Sequence, residues 1–210
     1  MNLIQHFLTQ NDCYRAGRTI TPKGIMVHST AVNQPDPMVF IRSWDKPDVT
    51  KCVHAFVGRD VVYQTLPWTM RGWHAGGAAN NTHIGFEICE DDLTGTDYFK
   101  AVWGNAVDLC AMLCKQYGLD PLKDIICHSE GRTLGIASNH ADVMHWFPKH
   151  GESMDTFRTA VQRKMEGNMS LEEAKAILAE KAGLTEATIT FLLAYRYGDD
   201  LVLKLAKAIN

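Results

Sequence analysis

The sequence predicts an α/β protein (α+β in some schemes): a central mixed β-sheet flanked by helices, followed by a small C-terminal three-helix module. Three observations carry that prediction. Short apolar runs of strand length alternate with longer segments of helical periodicity. Two of the runs are joined only by a turn at Gly58–Asp60, which adds an antiparallel hairpin to the alternating order and makes the sheet mixed. Beyond Met165–Met169 the chain loses histidine and cysteine and reads as short capped helices. With 210 residues, 46% of them hydrophobic and 21% charged, the composition excludes disordered, collagen-like and coiled-coil classes.

The elements follow in order. GIMVH, residues 24–28, comes after the turn signal TPKG and is a buried strand ending in His28. Asp36 and Pro37 open a helix through MVFIRSWD that stops before Pro47. CVHAFVGRDVVYQTLP supplies the antiparallel pair, and a loop rich in Gly, Ala and Asn leads from Ala75 into a buried strand, IGFEICE. From Asp97 to Tyr117, Phe99, Trp103, Ala106, Val107, Cys110, Leu113 and Cys114 recur at helical spacing, with Gly118 as cap. DIICH is a further strand ending in His128. An irregular loop is expected from Ser129 to His150, and Met154, Phe157, Val161 and Met165 then mark a helix.

Residues 1–165 make the larger domain and residues 170–210 the module. Ser170 and Glu173 form a capping box ahead of Leu171, Ala174, Ile177 and Leu178, with Gly183 as terminator. Thr185 caps a second helix carrying Ile189, Leu192 and Leu193 and ending at Gly198. Asp199 or Asp200 caps a third, carrying Leu201, Leu203, Leu205 and Ile209. A chain of about 40 residues seldom folds unaided, so this module is expected to dock or to self-associate.

Lys and Arg total 21 against 24 Asp and Glu, a formal charge of -3. Without a basic excess there is no field to hold a polyphosphate or an anionic membrane, so neither nucleic acid nor membrane is an expected partner. No stretch approaches the roughly 20 apolar residues of a membrane span. The first residues, MNLIQHFLTQNDCYRAGR, lack the basic and apolar regions of a secretory signal, so a cytoplasmic location is expected. The six cysteines form no CxxC pair and read as buried thiols.

Two strands end in histidine, His28 and His128, and rigid strand ends commonly line clefts. A polar cluster, Ser138–Asn139–His140–Ala141–Asp142, follows His128. Two imidazoles and one carboxylate suit zinc with a fourth position open. His145 rivals Asp142 as the third donor. Glu87 lies inside an apolar strand, where an unpaired carboxylate is expensive; pairing with an arginine or an exposed sheet face would relieve it. Cys89 shares Glu87's strand parity and reads as a packed thiol. His6 and His83 are expected at the surface, and Trp44, Trp68, Trp73 and Trp103 in the core. Trp146 is expected to pack in the loop that His145 and His150 close.

The strings GIMVHST, HAFVGRDVVYQ, GWHAGG, IGFEICE and ICHSEGRTLGIASNHADVMHW, in that order over about residues 20–165, resemble the zinc-dependent N-acetylmuramoyl-L-alanine amidases. The resemblance is to those of phage endolysins and bacterial autolysins, which share a fold with peptidoglycan recognition proteins. It implies Zn2+ held by His28, His128 and Asp142, Glu87 as general base, and His140 as the group that stabilises the transition state. It also places His74 beside the substrate groove, with Trp73 next to it. The substrate so implied is bacterial peptidoglycan, cut between N-acetylmuramic acid and L-alanine. Some relatives carry a catalytic Tyr before the histidine of the second string. Val53 stands there, which places more of the proton transfer on Glu87 and leaves His54 as a supporting or core residue.

Residues 170–210 resemble the wall-targeting modules of endolysins, with Phe191, Tyr195, Arg196 and Tyr197 as a candidate ligand-facing cluster for a cell-wall ligand. Codons for Glu166–Gly167 ahead of Met169 make a purine-rich run, so an internal start yielding free C-terminal fragments that assemble with whole chains is a further expectation. Two rival functions stand beside the lysin. One is a recognition protein that binds without cutting, against which Asp142 argues, since such relatives typically lose the third ligand. The other is a cytoplasmic recycling amidase, which has no use for an anchoring module.

Overall fold

Alternate residues of the strands separate two faces of one sheet, and that separation builds the site. A computed structural model describes residues 1–91, 96–167 and 169–209. The chain divides into two units, Met1–Met165 and Glu166–Asn210. In the first, the order is β1 (Leu3–Gln5), α1 (Asp12–Ala16), β2 (Gly24–Asn33), α2 (Pro37–Trp44), β3 (Ala55–Val57), β4 (Val62–Gln64), β5 (His83–Glu90), α3 (Thr96–Tyr117), β6 (Ile125–Cys127), α4 (His128–Thr133) and α5 (Met154–Met165). Short 3-10 turns lie at Ala78–Asn81 and Phe147–His150. The six-stranded sheet is ordered β1-β4-β3-β5-β2-β6. Only β3 and β4 pair antiparallel, so the sheet is mixed as the hairpin required.

Ile25 and Val27 of β2, Ile84, Phe86 and Ile88 of β5, and Ile125 and Cys127 of β6 turn to one face. They pack there with Phe99, Val102, Ala106, Leu109, Cys110 and Leu113 of α3 and with Phe157 and Val161 of α5, forming the main core. Phe56 of β3 and Cys89 of β5 turn the other way and pack with Ile41 and Trp44 of α2 in a second core. His28 and Glu87 belong to this second face and sit side by side in the β2–β5 register. All six cysteines are buried and free.

Several expectations need correction. The loop expected from Ser129 onward begins as helix α4: Glu130 accepts the Cys127 amide at 2.9 Å and is ion-paired to Arg158, so one short capping contact organises it. The sequence reading assigned neither β1 nor α1, although Asn11 accepts the Cys13 amide as an N-cap. His83 is half-buried rather than on the surface, its Nδ1 2.9 Å from Thr82 Oγ1. Trp68 and Trp103 are half-buried and pack against the main core.

The second unit holds α6 (Leu171–Ala182), α7 (Glu186–Leu193) and α8 (Gly198–Ile209). Ser170 and Glu173 make the expected reciprocal cap, and Gly183 closes α6 with φ +64°. Helix α7 stops at Leu193, short of Gly198, and Asp199 and Asp200 lie in the first turn of α8. The phase of α8 also differs from expectation. Val202 and Ala206 are buried against Ala174, Leu178 and Ile189, while Leu201, Leu205 and Ile209 stay 37–40% exposed. The small Ala206 side chain lets α8 approach closely on that stripe, which a search for large apolar residues misses. Among the described residues no helix is long and apolar enough to cross a membrane.

Candidate active site

Parallel strands β2, β5 and β6 end on the same edge, and their last site-facing residues meet there. His28 closes the apolar part of β2, Glu87 lies next to it on β5, and His128 follows β6 as the first residue of α4. Asp142 arrives from the loop after α4. His28 Nδ1 lies 3.2 Å from His128 Nδ1 and 3.3 Å from Asp142 Oδ2, and His128 Nδ1 lies 3.7 Å from the same oxygen. Three donors about 2.05 Å from a common centre at tetrahedral angles stand about 3.3 Å apart, so this spacing fits one small metal ion. Both histidines are buried and Asp142 is 16% exposed, which leaves one side open to the cleft. These three form the cluster of possible metal donors found among the described residues.

The electrostatics agree with that reading. Burial and the neighbouring His28 push His128 down to about 4, so it presents a neutral, ligating imidazole at physiological pH. Burial raises the Asp142 carboxyl, but the His28 hydrogen bond and the flanking imidazoles outweigh it and hold the group below its usual range. Glu87 behaves oppositely. Burial first, and the Asp142 charge second, push it up to about 8, with Lys51 opposing. Its Oε2 is buried with no hydrogen-bond partner among the described residues. A buried carboxylate oxygen left without a partner is costly unless something outside the chain uses it.

These residues line a cleft of about 370 Å³ that also takes in Trp73, His74, His140, Phe40, Trp44 and Lys51. His140 is exposed at the rim, its ring centroid 4.7 Å from that of His128. Trp73 is half-buried in the wall. His74 lines the cleft too, but its ring turns inward onto His28, with Nδ1 3.0 Å from His28 Nε2. Lys51 is the one Lys or Arg among the lining residues, its ammonium 4.5 Å over the Trp44 ring.

The remaining candidates are drawn elsewhere. His145 Nε2 pairs with Glu90 Oε1 at 2.8 Å, outside the donor cluster, so it is no rival to Asp142. His54 is fully buried: its Nε2 is 2.8 Å from the Met70 carbonyl, and its Nδ1 accepts the Gly85 amide at 3.0 Å. Burial lowers it to about 4, a neutral core histidine. Cys89 packs with Phe56 and Trp44 in the second core, and His150 stacks on Phe99 at 3.9 Å between centroids. Sequence reasoning missed Ser138 and Asn80 as site residues. Ser138 Oγ lies 3.1 Å from His128 Nε2, and Asn80 Oδ1 accepts the amides of His74 and Ala75. The only signal was position: Ser138 lies within the polar cluster of Asp142, and Asn80 within the Gly-Ala-Asn loop.

Comparison with known proteins bears on this geometry. The N-acetylmuramoyl-L-alanine amidase family profile matches residues 18–145, a span that includes every member of the donor cluster and Glu87. The N-acetylmuramoyl-L-alanine amidase XlyA of Bacillus subtilis (strain 168) is 35% identical over 133 residues, 61% of this chain and 43% of XlyA. CwlH, an amidase of the same description and strain, is 32% identical over 136 residues, 62% of this chain and 53% of CwlH. The chain thus spans about half the length of the curated relatives it matches. The structure of the catalytic domain of XlyA superposes with a TM-score of 0.63 at 29% identity, covering 77% of this chain and 99% of that one. Staphylococcus aureus hydrolase AmiA superposes at 0.67 with 24% identity, over 79% of this chain and 83% of that one, a likeness of fold.

Proposed function

The chain belongs to the N-acetylmuramoyl-L-alanine amidase family, and on that premise we propose that it is a zinc-dependent peptidoglycan hydrolase of the endolysin type. The bond cut is the amide between the lactyl group of N-acetylmuramic acid and L-alanine of the stem peptide. One observation carries the reading: His28, His128 and Asp142 converge beside Glu87, whose buried Oε2 has no hydrogen-bond partner among the described residues.

His28, His128 and Asp142 would hold the ion, and their donor set of two imidazoles and one carboxylate is that of a catalytic rather than a structural zinc site. When bound, zinc supplies Lewis acidity, which makes water a competent nucleophile near pH 7 and polarises an amide carbonyl. Glu87 Oε2 accepts the proton that water loses and returns it to the departing alanine nitrogen, without which an amine leaves poorly. His140, at the rim beside His128, donates a hydrogen bond to the carbonyl oxygen as it gains charge. Trp73 and Trp44 form apolar walls against which a sugar ring or an alanine methyl can lie. Val53 offers no proton, so Glu87 serves both transfers.

The second unit fits a wall-targeting role. Phe191, Tyr195 and Tyr197 are 64, 57 and 67% exposed, and Arg196 stands 5.3 Å from the Tyr197 ring. Exposed aromatics on so small a unit are costly to solvate and suit a ligand. Removing residues 170–210 is expected to lower activity on intact walls several-fold more than on soluble muropeptides. An equal fall on both would mean that the unit only supports the fold.

The test of the function is a digest of purified walls, with and without a zinc chelator, scored for new alanine amino termini and new reducing sugars. Alanine termini that appear without reducing ends and vanish on chelation are the expected result. Binding to walls with no new termini would support the recognition-protein reading instead.

A further inference from the structure

Both histidines of the donor cluster are fastened by their far nitrogens, His28 to His74 directly and His128 through Ser138, which is itself bonded to Ala75 of the same loop as His74. His28 Nε2 lies 3.0 Å from His74 Nδ1, and His74 Nε2 lies 3.1 Å from the His83 carbonyl. A carbonyl only accepts, so the hydrogen of a neutral His74 sits on Nε2 and its Nδ1 is an acceptor. His28 Nε2 is then the donor to His74, and Nδ1, the nitrogen that meets Asp142 in the metal-free protein, is the one left to ligate an ion. The second arm works the same way. His128 Nε2 lies 3.1 Å from Ser138 Oγ, whose own hydrogen goes to the Ala75 carbonyl at 3.2 Å. Ser138 therefore accepts from His128 Nε2–H, and His128 Nδ1 is likewise left to ligate.

Two backbone carbonyls, of His83 and Ala75, thus dictate which nitrogen each histidine turns to the centre. The loop that carries His74 and Ala75 is itself braced. Asn80 Oδ1, on a side chain almost wholly buried, accepts the His74 amide at 2.9 Å and the Ala75 amide at 2.8 Å. The Ser138 amide donates to the Ala75 carbonyl at 2.8 Å, tying the two arms together. Glycines leave the room this needs. A Cβ on Gly85 would stand 2.4 Å from the His74 ring, and one on Gly76, whose φ is +61°, 2.6 Å from Ser138 Oγ. Neither contact is tolerable without movement of the ring or hydroxyl.

We propose that the loop Gly72–Gly77, buckled by Asn80, is the positioning element of the metal centre. Through His74 and Ser138 it fixes His28 and His128 in the tautomer that presents Nδ1 to the ion. The inference rests on the metal reading of the cluster but not on any substrate. Groups that orient metal-binding histidines typically contribute about 10–100-fold to metal affinity.

The experiment is zinc affinity, by competition with a chromophoric chelator, for the parent, His74→Ala, His74→Gln and Ser138→Ala, with thermal melting alongside. His74→Ala and Ser138→Ala are each expected to bind zinc about 10–100-fold more weakly. His74→Gln should recover part of the loss, because its amide oxygen can accept from His28 while its nitrogen donates to His83. Imidazole nitrogen shifts in the zinc-free parent should show Nε2–H on both His28 and His128, and mixed tautomers at His28 in His74→Ala. Parent-like zinc affinity in both His74→Ala and Ser138→Ala, or mixed tautomers in the parent, would overturn the positioning role. A parent that binds no zinc would overturn the metal reading itself.

Discussion

Glu87→Gln lowers amide hydrolysis by about two to four powers of ten while the protein keeps its zinc; that is the expected result of removing a positioned general base and nothing else. Glu87 is absent from the donor cluster, so the ion has no reason to leave. Gln keeps the shape and loses only the proton-accepting oxygen. A second consequence follows from the raised pKa. A glutamate in the unfolded chain releases its proton near 4.5, whereas Glu87 in the metal-free fold keeps it to about 8. Between those values the folded state binds more protons than the unfolded one, so metal-free stability falls as pH rises across that window. Glu87→Gln removes the fall. The metal-free variant should melt above the parent at pH 8, and the gap should close toward pH 5. Loss of zinc from the variant, or activity within a few-fold of the parent, would remove Glu87 from the mechanism.

Asp142→Asn has the other large expected effect, loss of the ion and with it all hydrolysis. Asp142 brings the only formal negative charge into the donor cluster, and a neutral carbonyl oxygen is a poor substitute for it. Zinc binding should weaken by more than the roughly 10–100-fold that changes behind the ligands cost. His145→Gln is the control. Its ring is held by Glu90 outside the cluster, so zinc content should stay at the parent's value. Metal analysis after dialysis reads both. Parent-like zinc in Asp142→Asn, or loss of zinc in His145→Gln, would mean that the third donor has been misassigned.

The sheet was legible because its strands are short apolar runs bounded by turn residues, and because Asp36–Pro37 and Ser170–Glu173 are helix starts with a local physical cause. The ends of β2 and β6 were legible for a related reason: a histidine closing an apolar run stands out. Helix α4 was not, since it depends on Glu130 meeting Arg158, 28 residues away. The phase of α8 was missed because its buried stripe runs through an alanine and a glycine rather than leucines. Within the site, His28, His128, Asp142 and Glu87 carried chemistry visible in their residue types. Ser138 and Asn80 act through hydrogen bonds made only when the chain has folded, and no spacing rule marks them. His74 was read as a groove residue, whereas the direction of its ring, toward His28, is a tertiary fact.

The most direct measurement is hydrolysis of a soluble muramyl peptide by the zinc-loaded protein in water enriched in 18O, followed by mass spectrometry of both products. The account predicts one 18O atom in the lactyl carboxylate of muramic acid and a free amino group on an unlabelled L-alanyl peptide, with both products formed at least about a hundredfold more slowly by Glu87→Gln. Label at a sugar reducing end, or in a carboxylate within the peptide, would contradict it.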